Sequence, residues 1–165
     1  MSMHRFLVAL LLVGVAPAYA AEPAKPQPAL DPLEFFTGEV RGEGTIKVVM
    51  KPATKMRSES RGTPDGKGGI VLDQKVYETG KPVRISRWKL HPTSKTTLAG
   101  TNDVGRVSGK LTGNRLLLKY PMKNGLTAEQ YLYLQPDRRT LLNRMTVRKF
   151  GMTVAKIEET IRKLP

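Results

Sequence analysis

The sequence predicts an all-β fold, an antiparallel barrel of about 8 to 10 short strands preceded by one short helical turn. Segments with alternating apolar and polar residues recur along the chain, and tight-turn signals such as Asp65-Gly66, Gly113-Asn114 and Asn124-Gly125 separate them. A two-sheet sandwich fits the same pattern, but a closed barrel leaves no exposed strand edges. An up-and-down barrel of this size can hold a small ligand in its interior.

The first 20 residues have the pattern of a secretory signal peptide. Arg5 supplies positive charge, residues 6–15 are apolar, and Ala18-Tyr19-Ala20 fits a cleavage site. A membrane anchor is the alternative, but the apolar run is shorter than the roughly 20 residues that span a bilayer. We therefore predict a periplasmic or secreted protein in which a Pro- and Ala-rich leader (21–30) precedes one barrel domain (31–165).

The composition favours anionic partners. Lys and Arg number 28 against 14 Asp and Glu, a formal net charge of +14. Such a field attracts lipid headgroups, lipopolysaccharide or acidic polymers, although it also serves solubility. Aromatic residues make up only 6% of the chain, which argues against base stacking on nucleic acid. The chain has no cysteine, so it has neither an acylated cysteine nor a disulfide.

The N-terminal part of the domain combines a helical turn with the clearest strand. Asp31-Pro32 suits the start of a helix that ends before Gly38, and its apolar residues are expected to plug the bottom of the domain. The first strand is predicted at 39–51, with Val40, Ile46, Val48 and Met50 towards the core. Gly42 and Gly44 on the same face indicate a bend or a close backbone approach. The residues of the plug are Leu33, Phe35 and Phe36.

Further strands are predicted by the same alternation and are separated by Gly, Pro and Asn turns. Residues 55–61 are polar and suit an edge or rim strand. Residues 152–163 have spacings that fit a helix or a strand, and their many β-branched residues favour a last strand. The intervening strands are expected at 70–79, 83–91, 96–101, 105–112, 115–122, 127–135 and 140–151.

The strand at 140–151 has two mixed faces and is the densest cluster of basic, aromatic and strand-forming residues. One face carries Leu142, Arg144, Thr146, Arg148 and Phe150, and the other carries Leu141, Asn143, Met145, Val147 and Lys149. Arginines beside apolar groups on a strand within a sheet indicate either a structural ladder of ion pairs or the lining of a site.

Several segments resemble one bacterial envelope family, known as domain of unknown function 3833. They are 33–38 (LEFFTG), 105–114, 131–134 (YLYL) and, most specifically, 142–151 (LNRMTVRKFG). The resemblance covers most of the mature chain and implies a lipocalin-like (calycin-type) barrel without a known activity. The chain departs from the family in lacking a lipobox cysteine and in carrying Glu43 where members have a tryptophan in the first strand.

The candidate ligand site combines aromatic walls with arginines. Arginine donates paired hydrogen bonds to carboxylates and phosphates, so these residues suit an amphiphilic anion such as a fatty acid or another lipid. Alternatively the aromatics fill the core and the arginines stack over them to close one barrel end. The candidate residues are Arg144, Arg148, Asn143, Phe150, Trp88, Tyr131, Tyr133 and Glu43.

Catalytic groups are few, so we predict a non-enzymatic protein with no metal and no cofactor. His91 is the only histidine after residue 20 and cannot build a metal site alone. Glu43 and Glu59 could face the interior, where an isomerase- or cyclase-like reaction is the alternative; pairing of these carboxylates with nearby arginines is the structural alternative. The predicted partner is a small amphiphilic ligand or an anionic envelope component, peripheral membrane contact is compatible with the charge, and the oligomeric state stays open.

Overall fold

The structure is a computed structural model that describes residues 27–165, so the predicted signal peptide and most of the leader lie outside the described residues. One helix, α1 (Pro32–Phe36), precedes ten strands, and a 3-10 turn (Lys123–Gly125) joins two of them. The strands are β1 (Gly38–Val48), β2 (Thr54–Pro64), β3 (Ile70–Glu78), β4 (Arg84–Pro92), β5 (Thr97–Thr101), β6 (Arg106–Thr112), β7 (Arg115–Met122), β8 (Leu126–Leu134), β9 (Thr140–Lys149) and β10 (Met152–Lys163).

The ten strands close into one antiparallel barrel, which confirms the predicted fold class and excludes the sandwich. Each strand pairs with its chain neighbours, and β1 closes the ring against β10, from Val40 opposite Lys163 to Val48 opposite Ala155. The last strand is confirmed. The prediction that 55–61 form an edge is wrong, because β2 is hydrogen-bonded to β1 on one side and to β3 on the other.

Helix α1 plugs one end of the barrel, as predicted, and we call this the closed end. The Asp31 carboxyl accepts hydrogen bonds from the backbone N–H groups of Leu33 and Glu34 at 2.9 and 3.0 Å, which caps the helix. Phe35 is 3% exposed and packs into the core. Lys163 Nζ donates to three carbonyl groups at the end of the helix, those of Glu34, Phe35 and Thr37, at 2.6 to 3.0 Å.

Two apolar clusters fill the interior unequally. The larger one joins Phe35 to inward side chains of most strands, including the fully buried Leu116, Leu132 and Leu141. The smaller one contains Ile46, Met56, Val147 and Ile157. It lies towards the opposite end, the open end, where the β1–β2, β3–β4, β5–β6, β7–β8 and β9–β10 connections are.

The first strand shows both the strength and the limit of the predicted alternation. Val40 and Ile46 are buried in the core, as expected. Met50 was expected to face the core but is 97% exposed, because β1 ends at Val48 and Met50 occupies the following turn.

No helix among residues 27–165 is long and apolar enough to cross a membrane.

Candidate functional site

A belt of inward-facing polar side chains lies between the closed end and the open end of the barrel. On β9, Asn143 lies between Leu141 of the larger cluster and Val147 of the smaller one, and on β10 Glu159 lies between Ile161 and Ile157 in the same way. This polar belt consists of Ser58, Gln74, Ser86, Tyr120, Gln130, Asn143 and Glu159.

Glu159 is the acidic centre of the polar belt. Its side chain is enclosed, with 7% of the residue exposed. The Ser58 hydroxyl donates a short hydrogen bond to one carboxyl oxygen, and Asn143 Nδ2 donates to the other at 2.8 Å. Glu159 forms no salt bridge with any residue of the described part of the chain. An interior carboxyl group that only neutral donors satisfy is costly to bury, so it marks a candidate functional position.

Two glycines of β1 make room for this carboxyl group. Glu159 lies opposite Gly44 in the register, and it reaches across β1 to Ser58 of β2. A Cβ atom on Gly42 would overlap the Glu159 carboxyl group and come within 2.5 Å of Ser58 Oγ. The predicted close approach at Gly42 and Gly44 is therefore confirmed, and the approaching group is a side chain at Gly42 and the β10 backbone at Gly44.

The polar belt has surplus acceptor capacity. Asn143 Oδ1 is buried and has no hydrogen-bond partner in the described structure. A carboxyl oxygen has more than one lone pair, so the two hydrogen bonds to Glu159 do not exhaust its acceptors. A buried polar atom without a partner calls for an explanation, and a missing donor group is the direct one.

Tyr120 brings the polar belt onto β7. Its hydroxyl donates to Gln130 Oε1 at 2.8 Å and lies 2.9 Å from Met145 Sδ. Burial raises the pKa of the Tyr120 phenol well above its usual range. The nearby Glu159 charge raises this pKa further, and Arg84 opposes the shift only in part. Tyr120 therefore stays protonated and acts as a neutral donor rather than as a base.

Trp88 connects Tyr120 to the rest of the polar belt. The two rings pack edge to face with centroids 4.7 Å apart. Trp88 Nε1 donates to Ser86 Oγ at 3.2 Å, and Ser86 lies 3.4 Å from Gln74 Oε1. Several residues around Trp88 are partly exposed although they face inwards, so solvent reaches this part of the interior. They are Trp88, Ser86, Gln74, Gln130 and Met145.

An ion-pair cluster around the buried Glu78 supports the barrel wall near the open end. The Glu78 side chain is 3% exposed and lies 2.6 Å from Lys81 Nζ and 3.7 Å from the Arg84 guanidinium. The Thr54 hydroxyl donates to the same carboxyl group at 3.1 Å. Burial alone would raise the pKa of Glu78, but the hydrogen bonds from Lys81 and Thr54 and the charges of Lys81 and Arg84 outweigh it, so this pKa lies below its ordinary value.

Comparison with known proteins identifies the family. A family model described as Protein of unknown function (DUF3833) matches residues 9–163, nearly the whole chain. The protein belongs to the DUF3833 family. The resemblance seen in the sequence is thereby confirmed. No curated protein matches this DUF3833 chain.

Solved structures share the barrel with this DUF3833 protein. The S-type phycobiliprotein lyase CPES of Guillardia theta has a TM-score of 0.63 at 10% identity, over 81% of this chain and 90% of that chain. The protein Rv2717c of M. tuberculosis has a TM-score of 0.62 at 15% identity, over 82% and 99%. A DUF3598-family protein of unknown function from Nostoc punctiforme has a TM-score of 0.66 at 14% identity, over 88% and 53%. At these identities the likeness concerns the fold alone.

The residues predicted as one ligand site separate into two groups across the barrel wall. Asn143 and Trp88 face the interior. Glu43, Tyr131, Tyr133, Arg144 and Arg148 face outwards, because Leu141, Asn143 and Val147 take the inward positions on β9, and Gly42, Gly44 and Ile46 take them on β1. Phe150 lies in the β9–β10 turn and is 87% exposed.

The candidate residues that face outwards make their contacts on the outer surface of the barrel. Tyr131 and Tyr133 stack with centroids 6.3 Å apart, and Arg115 lies 5.8 Å over the Tyr131 ring. Arg148 approaches Glu129 to 4.0 Å. Arg144 borders an open groove of about 310 Å³, which Glu43 and Glu158 and also Asn143 and Glu159 of the polar belt line. This arrangement does not place an arginine beside Trp88 in the interior.

The expectation that Glu43 and Glu59 could face the interior is wrong. On β2 the inward positions belong to Met56, Ser58 and Ser60, so Glu59 lies outside. The Glu59 carboxyl group lies 3.7 Å from Arg57 and accepts a hydrogen bond from the Tyr77 hydroxyl at 3.2 Å. Glu59 therefore forms ion pairs with arginine, which was the structural alternative for these carboxylates.

The interior carboxyl group was missed because of where it lies in the sequence. Glu159 belongs to the segment 152–163, whose spacing fitted a helix as well as a strand. Once that segment is a strand, Glu159 shares a face with Ile157 and Ile161, which would have placed it in the barrel. The glycine at position 42 was the matching signal on the neighbouring strand.

Proposed function

We propose that this protein is exported after removal of residues 1–20 and binds one small amphiphilic molecule in the open half of its barrel. The observation that carries this proposal is the polar belt, which is inward-facing, reached by solvent at Trp88 and Gln130, and left with a free acceptor at Asn143 Oδ1. Apolar side chains such as Val48, Met122 and Leu126 lie between the polar belt and the open end. A ligand with one polar end and one apolar end fits this order of surfaces.

The polar end that suits the polar belt is a hydrogen-bond donor. The acceptors there include the two Glu159 carboxyl oxygens and Asn143 Oδ1, whereas the arginines of β9 lie outside. A hydroxyl or an ammonium group would satisfy Asn143 Oδ1 and donate a further hydrogen bond to a Glu159 carboxyl oxygen, which is charge-assisted for the ammonium group. A carboxylate at the same place would bring further acceptors against these acceptors instead of a donor. The amphiphile is therefore an alcohol or an amine rather than a fatty acid.

The fold of the similar structures supports binding as a class of function, although not a particular ligand. One of them is named as a phycobiliprotein lyase, so this barrel architecture is used for more than a filled core. The DUF3833 chain shares 10% identity with it, and we therefore take the ligand class from the polar belt alone.

Binding is measured with the single tryptophan as the reporter. Trp88 lies in the interior, so a hydrophobic amine probe such as N-phenyl-naphthylamine should quench its emission and gain sensitised fluorescence. Dodecylamine, dodecanol and dodecanoate are then used as competitors below their micelle-forming concentrations. We expect the amine and the alcohol to displace the probe, with dodecanoate weaker by about tenfold or more, the effect of one lost or repulsive polar contact.

Two matched substitutions identify the site. Glu159→Gln keeps the size of the side chain, and its new amide can donate to Asn143 Oδ1, so the barrel is expected to fold while the advantage of the amine and the alcohol over dodecanoate disappears. Glu43→Gln makes the same change on the outer wall and should leave the competition unchanged. Probe binding that is absent from a folded wild-type protein, or a preference for dodecanoate, would overturn the proposal.

A further inference from the structure

Exposed apolar side chains lie at the loop tips of the open end of the barrel. Of the eight large hydrophobic residues that are exposed in residues 27–165, seven lie in or directly beside the connections of this end, and only Leu142 lies elsewhere on the wall. The uneven distribution shows that they form one surface rather than scattered exceptions. We call this surface the tip ring; its residues are Val49, Met50, Val83, Ile85, Val104, Phe150 and Met152.

Two residues of the tip ring have an unfavourable backbone conformation. Met50 has φ of 60° and Phe150 has φ of 50°, the left-handed region that bulky residues rarely adopt. Phe150 and Gly151 form the two-residue β9–β10 turn, where asparagine or glycine is the usual first residue. Neither side chain is buried, at 97% and 87% exposure, so packing in this chain does not explain them. Strain at an exposed apolar residue points to an external partner.

Basic side chains accompany the tip ring. Lys51 and Lys81 lie in two of the connections that carry the tip ring, Lys123 lies in the β7–β8 connection of the same end, and Lys149 Nζ lies 5.7 Å over the Phe150 ring. Asp103 is the acidic residue of these connections, and the nearby buried Glu78 pairs with Lys81 at 2.6 Å, so the excess positive charge comes from Lys51, Lys123 and Lys149. The surface therefore combines apolar tips with excess positive charge.

We propose that the tip ring docks on a lipid bilayer that contains anionic phospholipid. The apolar tips would enter the boundary between headgroups and acyl chains, and the lysines would meet the headgroup charge. A second copy of this chain is the less suitable occupant, because two tip rings would bring their lysines together. Docking on the bilayer does not require a bound ligand. The docked face is the end through which an amphiphile would enter the barrel, and uptake of a ligand from the membrane at this face rests on the proposed function.

The docking is tested by sedimentation with vesicles of phosphatidylglycerol and phosphatidylcholine in equal parts, and with vesicles of phosphatidylcholine alone. We expect the wild-type protein to partition onto the anionic vesicles at low salt, several-fold more than onto the neutral ones, and to be released as salt rises. Equal partitioning onto both kinds of vesicle, or none onto either, would overturn the proposal.

The decisive variant is the double substitution Met50→Asn and Phe150→Asn. Asparagine tolerates a positive φ, so this variant should fold at least as stably as the wild type. Its partitioning should fall by roughly tenfold or more, because two apolar tips are lost. Leu142→Asn removes an exposed apolar side chain from the barrel wall and should leave partitioning unchanged.

Two further measurements separate docking on a bilayer from ligand binding in the barrel and from self-association. Fluorescent-probe binding by the double variant without vesicles should equal that of the wild type, whereas Glu159→Gln should keep vesicle partitioning, so failure of one proposal is visible without failure of the other. Light scattering after size-exclusion chromatography reports self-association. A wild-type dimer that the double variant loses would show that the tip ring binds a second copy, and it would contradict docking on a bilayer.

Discussion

At the scale of single residues, the barrel is organised around the space that Gly42 leaves for Glu159. The carboxyl group occupies the place of a Cβ atom and reaches Ser58 two strands away. One missing side chain on β1 thereby allows one polar side chain on β10. The alternation of β1 and its glycines could be read from the sequence. The partner of that space could not, because it depends on the register between β1 and β10.

Gly42→Ala is expected to destabilise the protein by about 1 to 3 kcal/mol, the usual cost of overpacking a filled interior. The cost should fall by at least half when Glu159→Ala is also present, because the clashing carboxyl group is then absent. Urea unfolding of the two single variants and the double variant gives the coupling energy. Additive effects would mean that Glu159 does not occupy the space beside Gly42.

Glu78 predicts a share of the pH dependence of stability. Its folded-state pKa lies below the ordinary value of 4.5, so the unfolded chain takes up the proton first as pH falls. The stabilisation from ionised Glu78 is complete above that value and is lost as pH falls through the folded pKa. Asp65, Asp73 and Asp137 also have lowered pKa values and act in the same direction.

The substitution Glu78→Gln should lower stability at neutral pH by about 1 kcal/mol, a modest value because the paired Lys81 and Arg84 are about half exposed. Its unfolding free energy should also fall less steeply than that of the wild type below about pH 4.5. Urea midpoints across this range measure both effects. Glu43→Gln on the outer wall is the control, and parallel pH curves for wild type and Glu78→Gln would contradict this role of Glu78.

At the scale of elements, α1 and β9 show how far local pattern determines structure. Asp31, Pro32 and Phe35 predicted a capped turn and a plug, and both are present because the signals are local. On β9 both faces mix polar and apolar residues, so the sequence did not decide which face is buried. Packing decides it: Leu141 is fully enclosed, which sends Arg144 and Arg148 to the outer wall.

The plug predicts unequal effects of two neighbouring phenylalanines. Phe35 is 3% exposed, so Phe35→Ala should cost about 3 to 5 kcal/mol through loss of burial and a cavity at the closed end. Phe36 packs against the same core but is partly exposed, and Phe36→Ala should cost less than half as much. Thermal or urea unfolding of both variants tests the assignment. Equal losses would show that α1 does not insert Phe35 selectively.

At the scale of the whole molecule, the two ends of the barrel differ in structure. The closed end is sealed by α1 and its lysine-capped carbonyl groups, whereas the open end carries the tip ring and partly exposed apolar walls. The barrel class could be predicted from strand spacing and turn residues. The full polar belt could not, because strands such as β9 have two mixed faces and only packing decides which face is enclosed.

The ligand proposed for the open half of the barrel is an amphiphile whose polar end meets Glu159 and Asn143. Native mass spectrometry of the protein in the form its own cells produce, isolated without detergent, is the test. We expect the wild-type protein to carry one molecule of a small alcohol- or amine-bearing amphiphile, and Glu159→Gln to carry less of it than Glu43→Gln does. A wild-type protein that is isolated only in its bare form, or that carries the same adduct after Glu159→Gln, would contradict the claim.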